Sequence, residues 1–160
     1  MNVAGYDSDS VVQLETNLDD MTPEQIGHAT ALLLEAGALD VWTTPIQMKK
    51  QRPAALLSVL CAPHEKERFA DLMLTHTSAF GVRMSEHTRI KLRRDFIEVE
   101  TPFGPVTVKR GFRGDTLLQC APEYESCRAQ AIRHSVPVQR VFDAARALAQ
   151  SSSTQPAGAD

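Results

Sequence analysis

Residues 11 to 18 alternate, with Val12, Leu14, Thr16 and Leu18 on one side, and a period of two predicts a half-buried strand that stops at Asp19-Asp20. Thr22-Pro23-Glu24-Gln25 then offers an N-cap, a proline at the first helical position and a glutamine able to close a capping box. The predicted helix buries Ile26, Ala29, Leu33 and Ala36, with Gly37 in the left-handed conformation at its end. Leu39 to Met48 reads as a second strand, which Pro45 assigns to an edge or a bulge. Ala54 to Cys61 is almost wholly apolar and reads as a central strand. A helix from Pro63 to about Thr77 buries Phe69, Leu72 and Met73. From Gly81 the alternation is long: Val82, Met84, Thr88, Ile90 and Leu92 share one face, and Arg83, Ser85, His87, Arg89, Lys91 and Arg93 the other. That predicts one long strand with a basic outer surface.

Strand, helix, strand, strand, helix, strand is the order of the ferredoxin-like split unit. Residues 96–101 and 106–112 then read as a hairpin over the turn 102–105, with a short strand at 117–120. Helices follow at 122–134 and 137–150, the second apolar at Val138, Val141, Phe142, Ala145 and Leu148. The expected fold class is α+β: a ferredoxin-like βαββαβ core with an added β-hairpin and C-terminal helices as an appendage. Residues 1–10 and 151–160 are small and polar and are expected to be disordered, which leaves one domain at 11–150.

Charge changes the picture at one point. Seventeen basic and twenty acidic residues give a formal charge of -3, too balanced for a nucleic-acid binder held by phosphate neutralisation. All eight acids of residues 1–48 precede the first lysine, Lys49, so an acidic stretch is followed by a basic remainder. Such separation suits metal-bound phosphate chemistry and also arises by scatter. Three cysteines without CxxC spacing support neither a disulfide framework nor a zinc ribbon. Without a signal peptide or a long apolar run, the sequence implies a cytoplasmic protein with no membrane partner.

Three segments carry candidate chemistry. Glu15, Asp19 and Asp20 place carboxylates ahead of a helix N-terminus, where they can ligate Mg²⁺ or Mn²⁺ or simply face the positive end of the helix dipole. Lys49, Lys50 and Arg52 place three cations on one strand connection, either a clamp for a polyphosphate or a solvated loop. Thr77, Ser78 and Arg83 flank a small-residue loop that can bind an anion or merely join helix to strand. No GxxxxGK[ST] or GxSxG motif occurs. The five histidines never fall at HxxxH or HxH spacing, so the sequence gives poor support to a histidine-built metal site.

The same segments carry a family resemblance. ETNLDDMTPEQIG at 15–27, LLEAGALDVWTTPIQMKKQRP at 33–53, TSAFGVR at 77–83, ETPFGPVTVK at 100–109 and APEYESCRAQA at 121–131 resemble the C-terminal domain of the LarC family, the nickel-insertion proteins of nickel-pincer cofactor synthesis. Ala54 stands where a glycine often follows the RP of the basic loop. The resemblance implies a CTP-dependent nickel chelatase, a lyase-type cyclometallase that inserts Ni²⁺ into pyridinium-3,5-bisthiocarboxylic acid mononucleotide. It implies CTP with Mg²⁺ or Mn²⁺, a homo-oligomer (trimer or hexamer), and an N-terminal LarC domain or chain as partner, this chain looking like the C-terminal part alone. Carried onto matching positions, Lys49, Lys50, Arg52 and Arg83 are expected to hold the triphosphate, with Thr77 and Ser78 as hydroxyl donors. Lys109 would extend the basic surface, and Asp19 and Asp20 would position the metal. A non-catalytic nucleotide- or anion-binding module and a purely structural, oligomer-forming domain are the alternatives.

Overall fold

The computed structural model describes residues 4–152. It divides into two compact units, one spanning Ser8–Arg89 and the other taking Ile90 onward together with the first seven residues.

The N-terminal unit is built from β1 (Asp7–Leu18), α1 (Pro23–Glu35), β2 (Asp40–Met48), β3 (Arg52–Cys61), α2 (Lys66–His76) and β4 (Arg83–Lys91), with single 3₁₀ turns at Lys49–Gln51 and Pro63–Glu65. The strands form one sheet in the order β2-β3-β1-β4. This is the ferredoxin-like arrangement that the element order predicts. Pro45 lies in β2, at the sheet edge where a strand tolerates proline, and apolar β3 lies inside the sheet.

β1 buries Val12, Leu14, Thr16 and Leu18 as its period requires, but it begins four residues before Val11, at Asp7. Positions 7–10, assigned by composition to a disordered leader, are therefore strand, and Asp9 there receives two hydrogen bonds from Arg89, at 3.0 and 2.8 Å. At the other end Ser151 and Ser152, also expected to be disordered, close the last helix, residues 4–6 lead into β1, and the remainder of that disorder assignment, at residues 1–3 and 153–160, lies outside the described residues. Thr22 and Gln25 close the capping box, the Gln25 N–H donating to Thr22 Oγ1 at 3.3 Å and the Thr22 N–H to Gln25 Oε1 at 2.9 Å. Gly37 takes φ +94°. Leu33, Leu57, Val59, Phe69 and Met73 complete a core with β1.

β4 departs from its sequence pattern. The long strand is interrupted at Leu92, and the chain resumes as β5 (Arg93–Thr101) in a separate sheet. Nor does its apolar face become buried: Met84 is 47% and Ile90 52% exposed. Alternation specifies a strand, but burial requires a partner layer, and edge-strand β4 lacks one over these positions among the described residues.

The C-terminal unit pairs β5 with β6 (Gly104–Arg113) and β6 with β7 (Thr116–Pro122), all antiparallel. Thr101 faces Gly104, so Pro102 and Phe103 alone form the hairpin loop, with Gly104 at φ +100°. Helices α3 (Tyr124–His134) and α4 (Val138–Ser152) follow. Val99, Val106 and Val108 of the sheet pack with Cys127, Ala131, Val141, Ala145 and Ala149 of the helices. The segment expected as an appendage thus has a hydrophobic core of its own. Asp95 and Arg110, opposite one another in the ladder, form a two-bond ion pair, both bonds 2.8 Å. Arg93 and Arg110 lie 4.5 and 5.2 Å from the Phe112 ring centre.

Candidate functional site

Antiparallel pairing decides which loops meet. Leu18 at the end of β1 faces Ala55 near the start of β3, so the acidic residues after β1 and the basic connection before β3 come to the same end of the sheet. Arg83 bonds to Asn17 near the end of β1, whereas Arg89 bonds to Asp9 near its beginning. The start of β4, and with it the loop from α2, therefore reaches that end too.

The contacts there are specific. Arg52 Nη1 donates to Asp19 Oδ2 at 3.1 Å. Arg83 Nη2 donates to Asn17 Oδ1 at 2.8 Å and lies 3.8 Å from Glu15 Oε2. The Ser78 hydroxyl donates to Asp20 Oδ1, and the Ser78 N–H to the Met21 sulfur at 3.3 Å. Thr16 Oγ1 anchors the loop by donating to the Gly81 carbonyl at 2.9 Å. Together Thr16, Asn17, Asp19, Asp20, Ser78 and Arg83 line a polar cavity of about 320 Å³ that also touches the fully exposed Phe80.

Of the residues singled out in the sequence, Asp19, Asp20, Ser78 and Arg83 share that cavity, and Arg52 joins them through Asp19. Lys49 and Lys50 lie on the adjoining β2–β3 connection, exposed and, among the described residues, without an ion pair. Lys50 and the next residue, Gln51, both adopt positive φ, 61° and 62°; strained non-glycine backbone of this kind is common at ligand clamps. Thr77 has a local task, its hydroxyl donating to the Met73 carbonyl at 2.6 Å and accepting from the Ala79 N–H at 3.2 Å. Lys109 lies in the C-terminal unit, with Nζ 3.0 Å from Glu123 Oε1. Asn17 and Met21 carry no charge or motif and were invisible in the sequence; only the β1–β4 neighbourhood shows that Asn17 orients Arg83.

The donor set suits an anion accompanied by a divalent cation. Glu15, in sequence the third carboxylate, is held by Gln13 Nε2 at 2.8 Å and by Arg83. Among the described residues no group of three His, Cys, Asp or Glu is placed to hold a metal ion. Two carboxylates alone still fit Mg²⁺ or Mn²⁺ in the common mode in which phosphate oxygens and water complete the octahedron. The thiols offer no alternative chemistry: all three are free, and burial pushes each thiol pKa up, which opposes thiolate formation at neutral pH.

The first unit is thus a ferredoxin-like α+β domain with acidic and cationic side chains gathered around a cavity at one sheet end. The chain belongs to the nickel insertion protein family, whose sequence model matches residues 1–142. A relative from Pelobacter propionicus is 51% identical over 138 residues, 86% of this chain and 35% of that protein. The pyridinium-3,5-bisthiocarboxylic acid mononucleotide nickel insertion protein of Acetivibrio thermocellus is 41% identical over 136 residues, 85% of this chain and 33% of that protein. The chain thus spans about a third of the length of these curated relatives. A solved structure, LarC2, described as the C-terminal domain of a cyclometallase involved in the synthesis of the NPN cofactor of lactate racemase, superposes with TM-score 0.85. It is 40% identical and covers 90% of this chain and 99% of its own. A protein of Methanopyrus kandleri at 24% identity and TM-score 0.69 shares the fold, covering 94% of this chain and 93% of its own. Among the described residues no helix is long and apolar enough to cross a membrane.

Proposed function

We propose that this chain is the CTP-binding component of a nickel chelatase, a lyase-type cyclometallase that inserts substrate Ni²⁺ into pyridinium-3,5-bisthiocarboxylic acid mononucleotide. The observation that carries this reading is the meeting of Arg52, Arg83, Asp19, Asp20 and Ser78 at one sheet end beside two unpaired lysines. Membership of the nickel insertion family supports the metal, and the cationic pocket supports the nucleotide.

Lys49 and Lys50 act as point charges toward the triphosphate, while Arg52 and Arg83 present planar forks. Both guanidiniums are now held by partly exposed carboxylate or amide partners, and exposed pairs of this kind contribute only about 0–1 kcal/mol. Exchanging them for phosphate oxygens therefore costs little. With a phosphate present the Ser78 hydroxyl, bonded to Asp20 in this structure, would turn to it, and Asp19 and Asp20 are the residues that would hold a Mg²⁺ or Mn²⁺ ion. Thr77 keeps the loop in place through its two backbone bonds. Bound CTP supplies anionic oxygens to that divalent ion. Lys109 contributes basic surface on the C-terminal unit, for the precursor mononucleotide or a neighbouring subunit of a homo-oligomer.

The activity requires the remaining two-thirds of the relatives' length as an N-terminal domain or partner chain. The test combines this chain with that partner, precursor, Ni²⁺, CTP and Mg²⁺ or Mn²⁺. The nickel-pincer absorbance should grow only when CTP and both proteins are present. Nucleotide binding without product under these conditions would make the chain a non-catalytic binding module.

A further inference from the structure

β5 stands at one edge of the second unit's sheet, paired with β6 on one side and, among the described residues, with no strand on the other. We propose that this edge joins a second copy of the chain, β5 against β5 in antiparallel fashion about a two-fold axis at Phe96, so that Arg94 of each copy faces the partner's Glu98. The inference goes beyond the nucleotide reading: the contact needs no ligand and would survive the failure of CTP binding.

Backbone direction is the first argument. The β5–β6 hairpin closes on Thr101 and Gly104 over a two-residue loop, and the closing pair of such a hairpin exchanges both of its N–H···O bonds. Pro105, opposite Glu100, fits that phase, because proline has no N–H to give at a bonded position. Counted back by twos, Val99, Ile97, Asp95 and Arg93 turn their backbone groups to β6. Arg94, Phe96, Glu98 and Glu100 turn theirs to the free edge, a row of donors and acceptors that another strand can take.

The side chains are the second argument. Arg94, Phe96, Glu98 and Glu100 are all exposed, Phe96 at 60%, whereas Val99 and Thr101 on the opposite face are buried. Among the described residues neither Arg94 nor Glu98 has an ion pair or a side-chain hydrogen bond, although the neighbouring Asp95 and Lys109 are paired with Arg110 and Glu123. Charge order is the third. β5 begins with Arg93 and Arg94 and carries Glu98 and Glu100 toward its end, so it complements itself when reversed. A parallel copy in register would set like charges opposite one another, which is unfavourable. The antiparallel register centred on Phe96 forms the Arg94–Glu98 pair twice and brings the two rings together at the axis. Sliding by two residues keeps an ion pair, through Glu100, but sets each ring opposite a carboxylate. A two-fold contact of this kind closes on itself, leaving no β5 edge to recruit further chains.

Sedimentation equilibrium of the full chain without nucleotide tests the contact. The parent should form an assembly with an even number of chains. Arg94→Glu and Glu98→Arg each place like charges across the axis, and each should weaken that association at least about tenfold. An equimolar mixture of the two variants restores opposite charges at both positions, as does the double variant Arg94→Glu, Glu98→Arg, and both should recover the parent's assembly. Thermal midpoints should stay unchanged throughout, since both side chains are exposed and unpaired. A parent with an odd number of chains, either single variant associating as tightly as the parent, or a mixture that stays dissociated would overturn the proposal. If a charge reversal unfolds the chain, Arg94→Gln and Glu98→Gln replace it with the same expected weakening, and the parent's assembly decides independently. Failure of CTP binding with this result intact would count against the nucleotide reading alone.

Discussion

Lys50 occupies left-handed backbone, φ 61° and ψ 22°, where a β-carbon is unfavourable by roughly 1–3 kcal/mol. Glycine would suit that conformation better, so keeping lysine there sacrifices stability for a charge. Lys50→Gly should therefore hold or raise the thermal midpoint while weakening CTP binding, measured by differential scanning calorimetry and nucleotide titration on the same samples. A fall in both would mean that the side chain serves the fold. The cations themselves were legible because a run of charge against a base-free background stands out in any sequence. Asn17 was not: an amide on a strand has no signature until Arg83 is seen bonded to it.

At the scale of elements, the start of α1 follows from four residues. Thr22→Ala removes the side-chain half of the capping box and should lower stability by about 1 kcal/mol, read as a shift in the urea midpoint with an unchanged slope. Because Asp20 and Asp19 lie only two and three residues before that cap, a frayed α1 should also weaken divalent-metal-dependent CTP binding in the same variant. In the C-terminal unit, the hydrogen bonds from Arg110 hold the Asp95 carboxyl below its ordinary pKa. A depressed folded-state pKa stabilises above the unfolded value and ceases to do so as pH falls through the folded one. Thermal midpoints of the parent chain and Asp95→Asn should therefore differ at neutral pH and converge in acid; a gap constant with pH would contradict the pairing. Elements with a strong period or a cap were readable from sequence, as with β1, α1 and apolar β3. β4 was readable as a strand, but its break at Leu92 and its exposed apolar side chains were not, because two-residue periodicity is equally compatible with an edge strand that no layer covers.

At the scale of the whole molecule, two units with separate cores replace the expected core and appendage. The element order was sufficient to give the sheet order of the first unit. Short, ordinary apolar runs in the second did not reveal how completely Val99, Val106 and Val108 would be covered by α3 and α4. Leu57→Ala should cost about 2–5 kcal/mol and accelerate amide exchange mainly across β1 to β4, while Val141→Ala should act mainly on β5 to β7, α3 and α4. Uniform acceleration in both variants would show that the two cores open together. In the proposed function the cations and acids at the end of the first sheet hold a metal-bound pyrimidine triphosphate. Calorimetric titration of CTP with Mg²⁺ or Mn²⁺ into the parent chain and into Lys49→Ala, Lys50→Ala tests it most directly. Saturable binding to the parent is expected, and its loss in the double variant with little change in thermal midpoint. No binding to the parent, or equal affinity in both, would contradict it.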